Sequence, residues 1–472
     1  MSRRLIFVFL LVLLPVIALA DGFTIKPFVT NVTPTSIDVC FTSDVQDTAV
    51  IRFGRTEEML RQKAVTGRRF EAAWGEYKLY GFFSFYDVID RYDYCRRLDG
   101  LHPDSLYFYQ VEVGDAVGDV HSFFTAPDEP APFSFIVYGD SRSDPLYPLG
   151  VPNRFHEEVI ELMVEQPVDL LLHTGDFVND GFDMHLWEIA LDIVNPVSSE
   201  IPLYIAFGNH EDRDHVGVDG RDVFGSLLSH PGDASGSGSE EYFSFDYANA
   251  HFCFVSTEDG FNIDPDDPQV EWIRADLDAA NADPDIDWVF MLYHIPGLTS
   301  SFRYQNDGKE QEAREFLVPL AEEYGVDFVF AGHEHSYERS RRDSGLMYIV
   351  TGNGGALPTF VGFPSNNPWS QVFEANADFK HFGFVRVDIA GDYLVLTSLI
   401  SDGTVIDVYE IGQAPVDDDT GDDDTVTDDD AIDDDDVSDD DVADDDVSDD
   451  DDQAPANDDE ASDEDDDRGC GC

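Results

Sequence analysis

Along residues 23–126 apolar and polar positions alternate in short runs, such as SIDVCF and TAVIRF, separated by turn residues. Patterning of that kind predicts β-strands packed face to face around a shared core. After residues 125–131 (TAPDEPA) the pattern changes. Apolar, strand-like runs now alternate with stretches of helical period at 153–166, 184–194, 269–281 and 310–324. That alternation predicts an α/β domain over 132–412, preceded by an all-β sandwich over 21–127.

The two ends read differently. Residues 1–20, MSRRLIFVFLLVLLPVIALA, have a basic start, an apolar run and a closing Ala18-Leu19-Ala20. This is the layout of a secretory signal peptide with cleavage near Ala20, and the run is short for a membrane span. The chain is therefore expected to be exported, with no transmembrane segment. From Asp417 to Asp467 there are 31 acidic residues and no basic one, with Val437, Val442 and Val447 recurring in Asp-rich units. Such a stretch cannot bury enough apolar surface to offset chain entropy, so residues 416–472 are expected to be a disordered acidic stalk. It ends in Cys470-Gly-Cys472, which leaves lipid attachment, cross-linking or cell-surface sorting open.

Composition sharpens this. Of 472 residues, 99 are Asp or Glu and 27 Lys or Arg, a formal charge of -72. That balance excludes binding to nucleic-acid scaffolds and adsorption on anionic lipid, both of which need basic surface. Yet 42% of residues are apolar and 13% aromatic, enough for a large core. Outside the stalk the chain is still strongly acidic, with only five lysines. A surface rich in Asp and poor in Lys fits a protein that stays soluble in high salt.

Within the first domain, the run Leu98-Asp-Gly-Leu101-x-Pro103-x-Ser105-x-Tyr107-x-Tyr109 is similar to the corner of immunoglobulin and fibronectin type III sandwiches. By that resemblance Cys40 and Cys95 lie on strands close enough to bridge. The aromatic residues between them (Trp74, Tyr77, Tyr80, Phe82, Phe83, Phe85, Tyr86, Tyr92 and Tyr94) predict a hairpin packed on the next domain rather than a ligand surface. Cys253, inside an apolar run, predicts a buried thiol.

Five apolar runs of the second domain end in residues able to bind metal. PFSFIVYGD ends at Asp140 and VDLLLHTGD at Asp176; PLYIAFGNH supplies Asn209 and His210, DWVFMLYH supplies His294, and VDFVFAGHEH supplies His333 and His335. In an α/β sheet, ligands collect beyond the carboxyl ends of strands, so these five ends should converge. Carboxylate, amide oxygen and imidazole together suit a transition metal. An Asp after a strand is more often a helix cap and a lone His more often a satisfied core group. The weight comes from the ordered set.

In order, Gly139-Asp140, Gly175-Asp176, Gly208-Asn209-His210-Glu211, His294 in Tyr-His-Ile-Pro and Gly332-His333-Glu334-His335 resemble the calcineurin-like metallophosphoesterases. The longer run 332–339 (GHEHSYER), with Thr-Gly-Asn-Gly-Gly at 351–355, resembles the purple acid phosphatase branch. The resemblance implies a four-layer α/β/β/α fold after a fibronectin type III-like sandwich. It also implies two divalent or trivalent transition-metal ions (Fe, Zn or Mn). Asp140, Asp176 and His335 would hold the first metal, Asp176 would bridge, and Asn209, His294 and His333 would hold the second.

Two positions depart from the pattern. The purple branch has a tyrosine three residues after the bridging aspartate, where this chain has Asn179; other branches have a histidine two after the first aspartate, where it has Arg142. The first metal is thus short of a ligand, and a colourless enzyme with a weaker or water-completed first site is expected. Arg142 is read either as a phosphate contact or as a surface arginine paired with Asp144. The implied reaction is hydrolysis of a phosphate monoester, metal-activated water attacking in line with the leaving group. His210 would meet the leaving oxygen, and Glu211 would orient that imidazole. The expected partners are phosphorylated small molecules or nucleotides. A phosphodiesterase or nucleotide hydrolase of the same fold is the alternative, followed by a surface binding protein with a degenerate enzyme domain.

Overall fold

The computed structural model describes residues 22–78, 83–142, 153–258, 267–301, 308–358, 367–376 and 379–414. The expected signal peptide and acidic stalk, and with them Cys470 and Cys472, lie outside the described residues, as do Tyr80, Phe82 and Asp144. Among the described residues no helix is long and apolar enough to cross a membrane.

The N-terminal region is a β-sandwich. One sheet runs Ile25–Thr33, Ser36–Ser43, Phe83–Asp99, Arg68–Lys78; the other runs Arg61–Thr66, Thr48–Gly54, Leu106–Val113, Ala116–Val117, with His121–Phe124 also paired to Leu106–Val113. Alternate residues face inward, so Val39, Phe41, Ile51, Phe53, Tyr109 and Val111 are buried together. The predicted corner forms: Leu101 is buried and the Tyr107 hydroxyl accepts from the His102 amide at 3.0 Å. Cys40 and Cys95 are disulfide-bonded. They are directly opposed on neighbouring strands of one sheet, so the bond staples one sheet rather than joining two.

The hairpin of Arg68–Lys78 and Phe83–Asp99 reaches onto the α/β region. Trp74 stacks on His185 at 4.5 Å and Tyr86 packs on Phe182 and His215, while the Ala73 amide donates to the Phe182 carbonyl at 3.0 Å. The aromatic segment serves as packing. Phe85 is 59% exposed.

The α/β region has two mixed sheets. The first runs Leu203–Ile205, Leu170–His173, Phe133–Tyr138, Gly383–Ala390, Tyr393–Ile400, Val405–Ile411. The second runs Phe243–Tyr247, Ala250–Phe254, Trp288–Tyr293, Phe328–Ala331, Met347–Thr351, Ser336–Arg341, Ser370–Ala375. Alternation on each strand explains the layering. Phe135 and Val137 point between the sheets, where Phe135 meets Phe252 and Phe290 edge-on at 5.2 Å. Ile136 and Tyr138 point outward to helices Arg154–Val164 and Met184–Ser198. On the far side, Val289 and Met291 pack with Ile273 and Leu277 of helix Pro268–Ala282. The order of layers is α/β/β/α, as the resemblance implied.

Candidate metal centre

Three strands of the first sheet (Phe133–Tyr138, Leu170–His173 and Leu203–Ile205) run parallel, and so do Ala250–Phe254, Trp288–Tyr293 and Phe328–Ala331 of the second. Their carboxyl ends carry the predicted ligands into one buried locus. Asp140, Asp176 and His333 all adopt positive φ, 54°, 57° and 68°. Each such conformation costs about 1–3 kcal/mol in a residue with a Cβ, and it turns the side chain back over the strand end. Room for these turns comes from glycine. A Cβ on Gly208 would lie 2.6 Å from the Asp176 amide, and one on Gly332 the same distance from Asp140 Oδ2.

On one side the donor atoms face one another. His294 Nε2 lies 3.1 Å from Asp176 Oδ1 and 3.1 Å from Asn209 Oδ1; His333 Nδ1 lies 3.0 Å from Asn209 Oδ1 and 3.3 Å from His294 Nε2. His294 donates its Nδ1–H to the Thr174 carbonyl at 2.9 Å, which aims Nε2 at the cluster. Burial opposes charge on His294, yet Asp176 beside it, with Asp140 and Glu258, pushes the imidazole up to about 10. Burial likewise disfavours the Asp176 anion, but His210, His294 and Arg142 hold that carboxyl well below the usual range. Acceptors crowded this closely call for a cation, and carboxylate, amide oxygen and two imidazoles are a transition-metal donor set. The residues on this side fit a metal ion.

The other side is built differently. His335 Nε2 is 3.3 Å from Asp140 Oδ1, and Asp140 Oδ2 accepts from the His333 amide at 2.7 Å. Arg142 lies against them. Its side chain is 10% exposed and its Nε donates to Asp176 Oδ2 at 3.1 Å, so Arg142 is no surface residue. Asn179 accepts from Arg142 Nη1 at 3.4 Å and donates to Asp180 at 2.9 Å.

Two assigned neighbours of the ligands behave unequally. His210 donates Nδ1–H to the Asn179 carbonyl at 2.6 Å and keeps Nε2 3.6 Å from Asp176 Oδ2. Burial, with Arg142 and Arg213 adding to it against Asp176, holds the imidazole well below its usual value. Glu211 does not orient that ring. Its carboxylate accepts from the amides of Asp176 (2.8 Å), Gly208 (3.0 Å) and Val178 (3.1 Å), because the turn after Gly208 folds it inward beneath the ligand loops. Burial, then the Asp176 charge, pushes Glu211 up to about 7.

Sequence reasoning missed three residues. Arg213 donates to the Asn179 carbonyl at 2.9 Å and reaches His210 Nε2 at 3.0 Å. Glu310 is fully buried, with Oε1 3.9 Å from His333 Nε2. Glu258, also buried, accepts from Lys309 at 2.6 Å. Nothing local marks them: Arg213 opens a Gly-, Ser- and Asp-rich insert, and Glu310 sits in what reads as a solvated helix.

The calcineurin-like phosphoesterase family matches residues 116–337. Purple acid phosphatase 18 of Arabidopsis thaliana is 28% identical over 263 residues, 54% of this chain and 56% of that protein. Acid phosphatase type 7 of Mus musculus is 28% identical over 367 residues, 68% of this chain and 77% of that one. The match thus spans little more than half of the plant relative. The structure of purple acid phosphatase PPD1 from yellow lupin (Lupinus luteus) seeds superposes with a TM-score of 0.66 at 21% identity, over 82% of this chain and 73% of that one. Purple acid phosphatases work with a dinuclear metal centre. Strand order, motif order and these likenesses agree: the chain carries a calcineurin-like metallophosphoesterase domain, behind an N-terminal β-sandwich, with purple acid phosphatases among its relatives.

Proposed function

We propose that the chain is an exported, metal-dependent phosphatase that hydrolyses phosphate monoesters. The observation that carries this reading is the convergence of Asp176 Oδ1, Asn209 Oδ1, His294 Nε2 and His333 Nδ1, each within 3.1 Å of another member of the set. A transition metal bound there supplies positive charge to phosphoryl oxygens and acidifies water. The remaining work falls to the chain. Glu211 holds the Asp176 and Gly208 amides, so the ligand loops cannot relax. His210 presents Nε2 at the edge of the centre, where a leaving oxygen would emerge, and Arg213 beside it adds a fixed positive charge. The Cys40–Cys95 disulfide supports an oxidising compartment, consistent with export.

The test is metal analysis of the purified protein joined to assays on monoester and diester model substrates. Metal-dependent turnover with a monoester preference supports the proposal. Diester preference would move it to the phosphodiesterase alternative, and a metal-free, inert protein would make it a binding protein. His210→Ala should lower kcat while metal content stays near normal. With Asn179 where a phenolate would sit, the loaded enzyme should show no visible charge-transfer band.

A further inference from the structure

We infer that this centre holds a single metal ion, at the Asn209–His294–His333 side, and that the Arg142 guanidinium takes the place of the other ion. The inference rests on the metallophosphoesterase reading and narrows it.

Position 142 is two residues beyond Asp140, and its amide donates to the Asp176 carbonyl at 3.3 Å. The root of the side chain is therefore fixed beside the bridging aspartate. From there the guanidinium spreads over three groups. Nε donates to Asp176 Oδ2 at 3.1 Å, Nη1 to Asn179 Oδ1 at 3.4 Å, and Nη2 approaches His335 Nε2 at 3.4 Å. His335 donates its Nδ1–H to the Leu357 carbonyl, so Nε2 carries the lone pair and accepts from the arginine. Asp176 and His335 are two of the groups that a first metal would use, and Asn179 holds the position of a third. A planar cation already satisfies all three.

Charge and donor count point the same way. Guanidinium stays charged at any working pH, and a second cation centred among the same atoms would meet it at contact distance. What is left unclaimed is Asp140 Oδ1, buried and without a hydrogen-bond partner. One donor falls short of the three protein ligands that even an open, water-completed site uses. The opposite side offers four donor atoms, Asp176 Oδ1, Asn209 Oδ1, His294 Nε2 and His333 Nδ1, gathered around His294 and Asn209. One side chain thus makes the centre a metal–arginine pair. Its guanidinium, unlike a metal, offers N–H donors in a fixed plane to phosphate oxygens.

The experiment is reconstitution of the full chain with Mn(II), removal of loose ion, and two readouts: metal per chain by elemental analysis, and the paramagnetic resonance spectrum. The wild-type protein should retain one Mn(II) per chain, with the resolved hyperfine pattern of an isolated ion. His294→Ala should lose it, and His335→Ala should keep it. Arg142→His, which replaces the guanidinium by a ligand, should raise the count towards two and give an exchange-coupled spectrum. Two coupled ions in the wild type would overturn the inference and leave the phosphoesterase reading standing. So would a single ion lost in His335→Ala. A folded wild-type protein that retains no ion would remove the metal reading itself. The wild-type count and the two histidine variants decide the matter even if Arg142→His fails to fold.

Discussion

The two halves of the candidate centre are made from the same materials and end in different states. Both are built from strand-end loops, both use Asp176, and both present imidazole nitrogens. On one side Asn209, His294 and His333 face each other across gaps of 3.0–3.3 Å. On the other, Arg142 has already spent the facing lone pairs of Asp176 and His335. Buried acceptors without donors are costly, so each half needs a positive partner; whether the chain supplies it or recruits it turns on one side chain. A third cluster, where strand Ala250–Phe254 meets helix Pro268–Ala282, shows another outcome. His251 sits between Asp246 at 2.7 Å and Asp276 at 3.0 Å, and there a proton satisfies the carboxylates.

The largest effect should come from the recruiting half. His294→Ala or Asn209→Ala should lower metal affinity and turnover by more than about 100-fold, a floor set by what neighbours of ligands alone contribute. Equal losses from His335→Ala would erase the distinction between the halves.

Removing the disulfide should separate stability from the centre altogether. Cys40 and Cys95 close a loop of 55 residues, which corresponds to about 4 kcal/mol of chain entropy. Cys40→Ala with Cys95→Ala should lower the denaturant midpoint accordingly and leave metal per chain unchanged. A change in metal content would mean that the sandwich shapes the site.

Glu211→Ala tests how far the recruiting half depends on its frame. It strands three buried amides at about 1 kcal/mol or more each, so a loss of about 3 kcal/mol is expected. Metal affinity should fall by about 10-fold or more, because the Asp176 and Gly208 loops lose their anchor. Unchanged affinity at reduced stability would show that the ligands hold their own geometry.

The proton-filled cluster should give the smallest signal. Burial disfavours charge on His251, yet its hydrogen bonds to Asp246 and Asp276 push it up to about 9. The folded protein then binds a proton that the unfolded chain releases near 6.5. Its stabilising contribution is complete below about pH 6.5 and declines as pH rises through about 9. Urea midpoints across that window should fall in the wild type and flatten in Asp276→Asn.

Much of this centre was legible along the chain. Asp140, Asp176, Asn209, His294, His333 and His335 each follow an apolar run, and a turn glycine precedes the first three motifs and His333 directly. A parallel sheet gathers such ends mechanically. The four layers were legible only through resemblance, because alternation marks which residues are buried and not which face meets helices. Glu211 shows where adjacency misleads. Next to His210 in sequence, its carboxylate points away and binds amides of the Asp176 loop and of its own turn. Glu310 and Arg213 gave no signal, since a single buried charge in a helix or insert looks like any solvated one.

What the sequence determined by itself is the ordered set of candidate strand-end ligands, the change of pattern near residue 130, and the presence of Asn179 and Arg142 where the family resemblance expects ligands. What only the tertiary structure decided is what those replacements do. An arginine's reach covers several ångströms, so its position along the chain does not say whether it meets solvent, substrate or a carboxylate. Packing beside Asp176, with Asn179 and His335 closing around it, directed the guanidinium inward. In a buried site its charge then pairs with the ligands themselves.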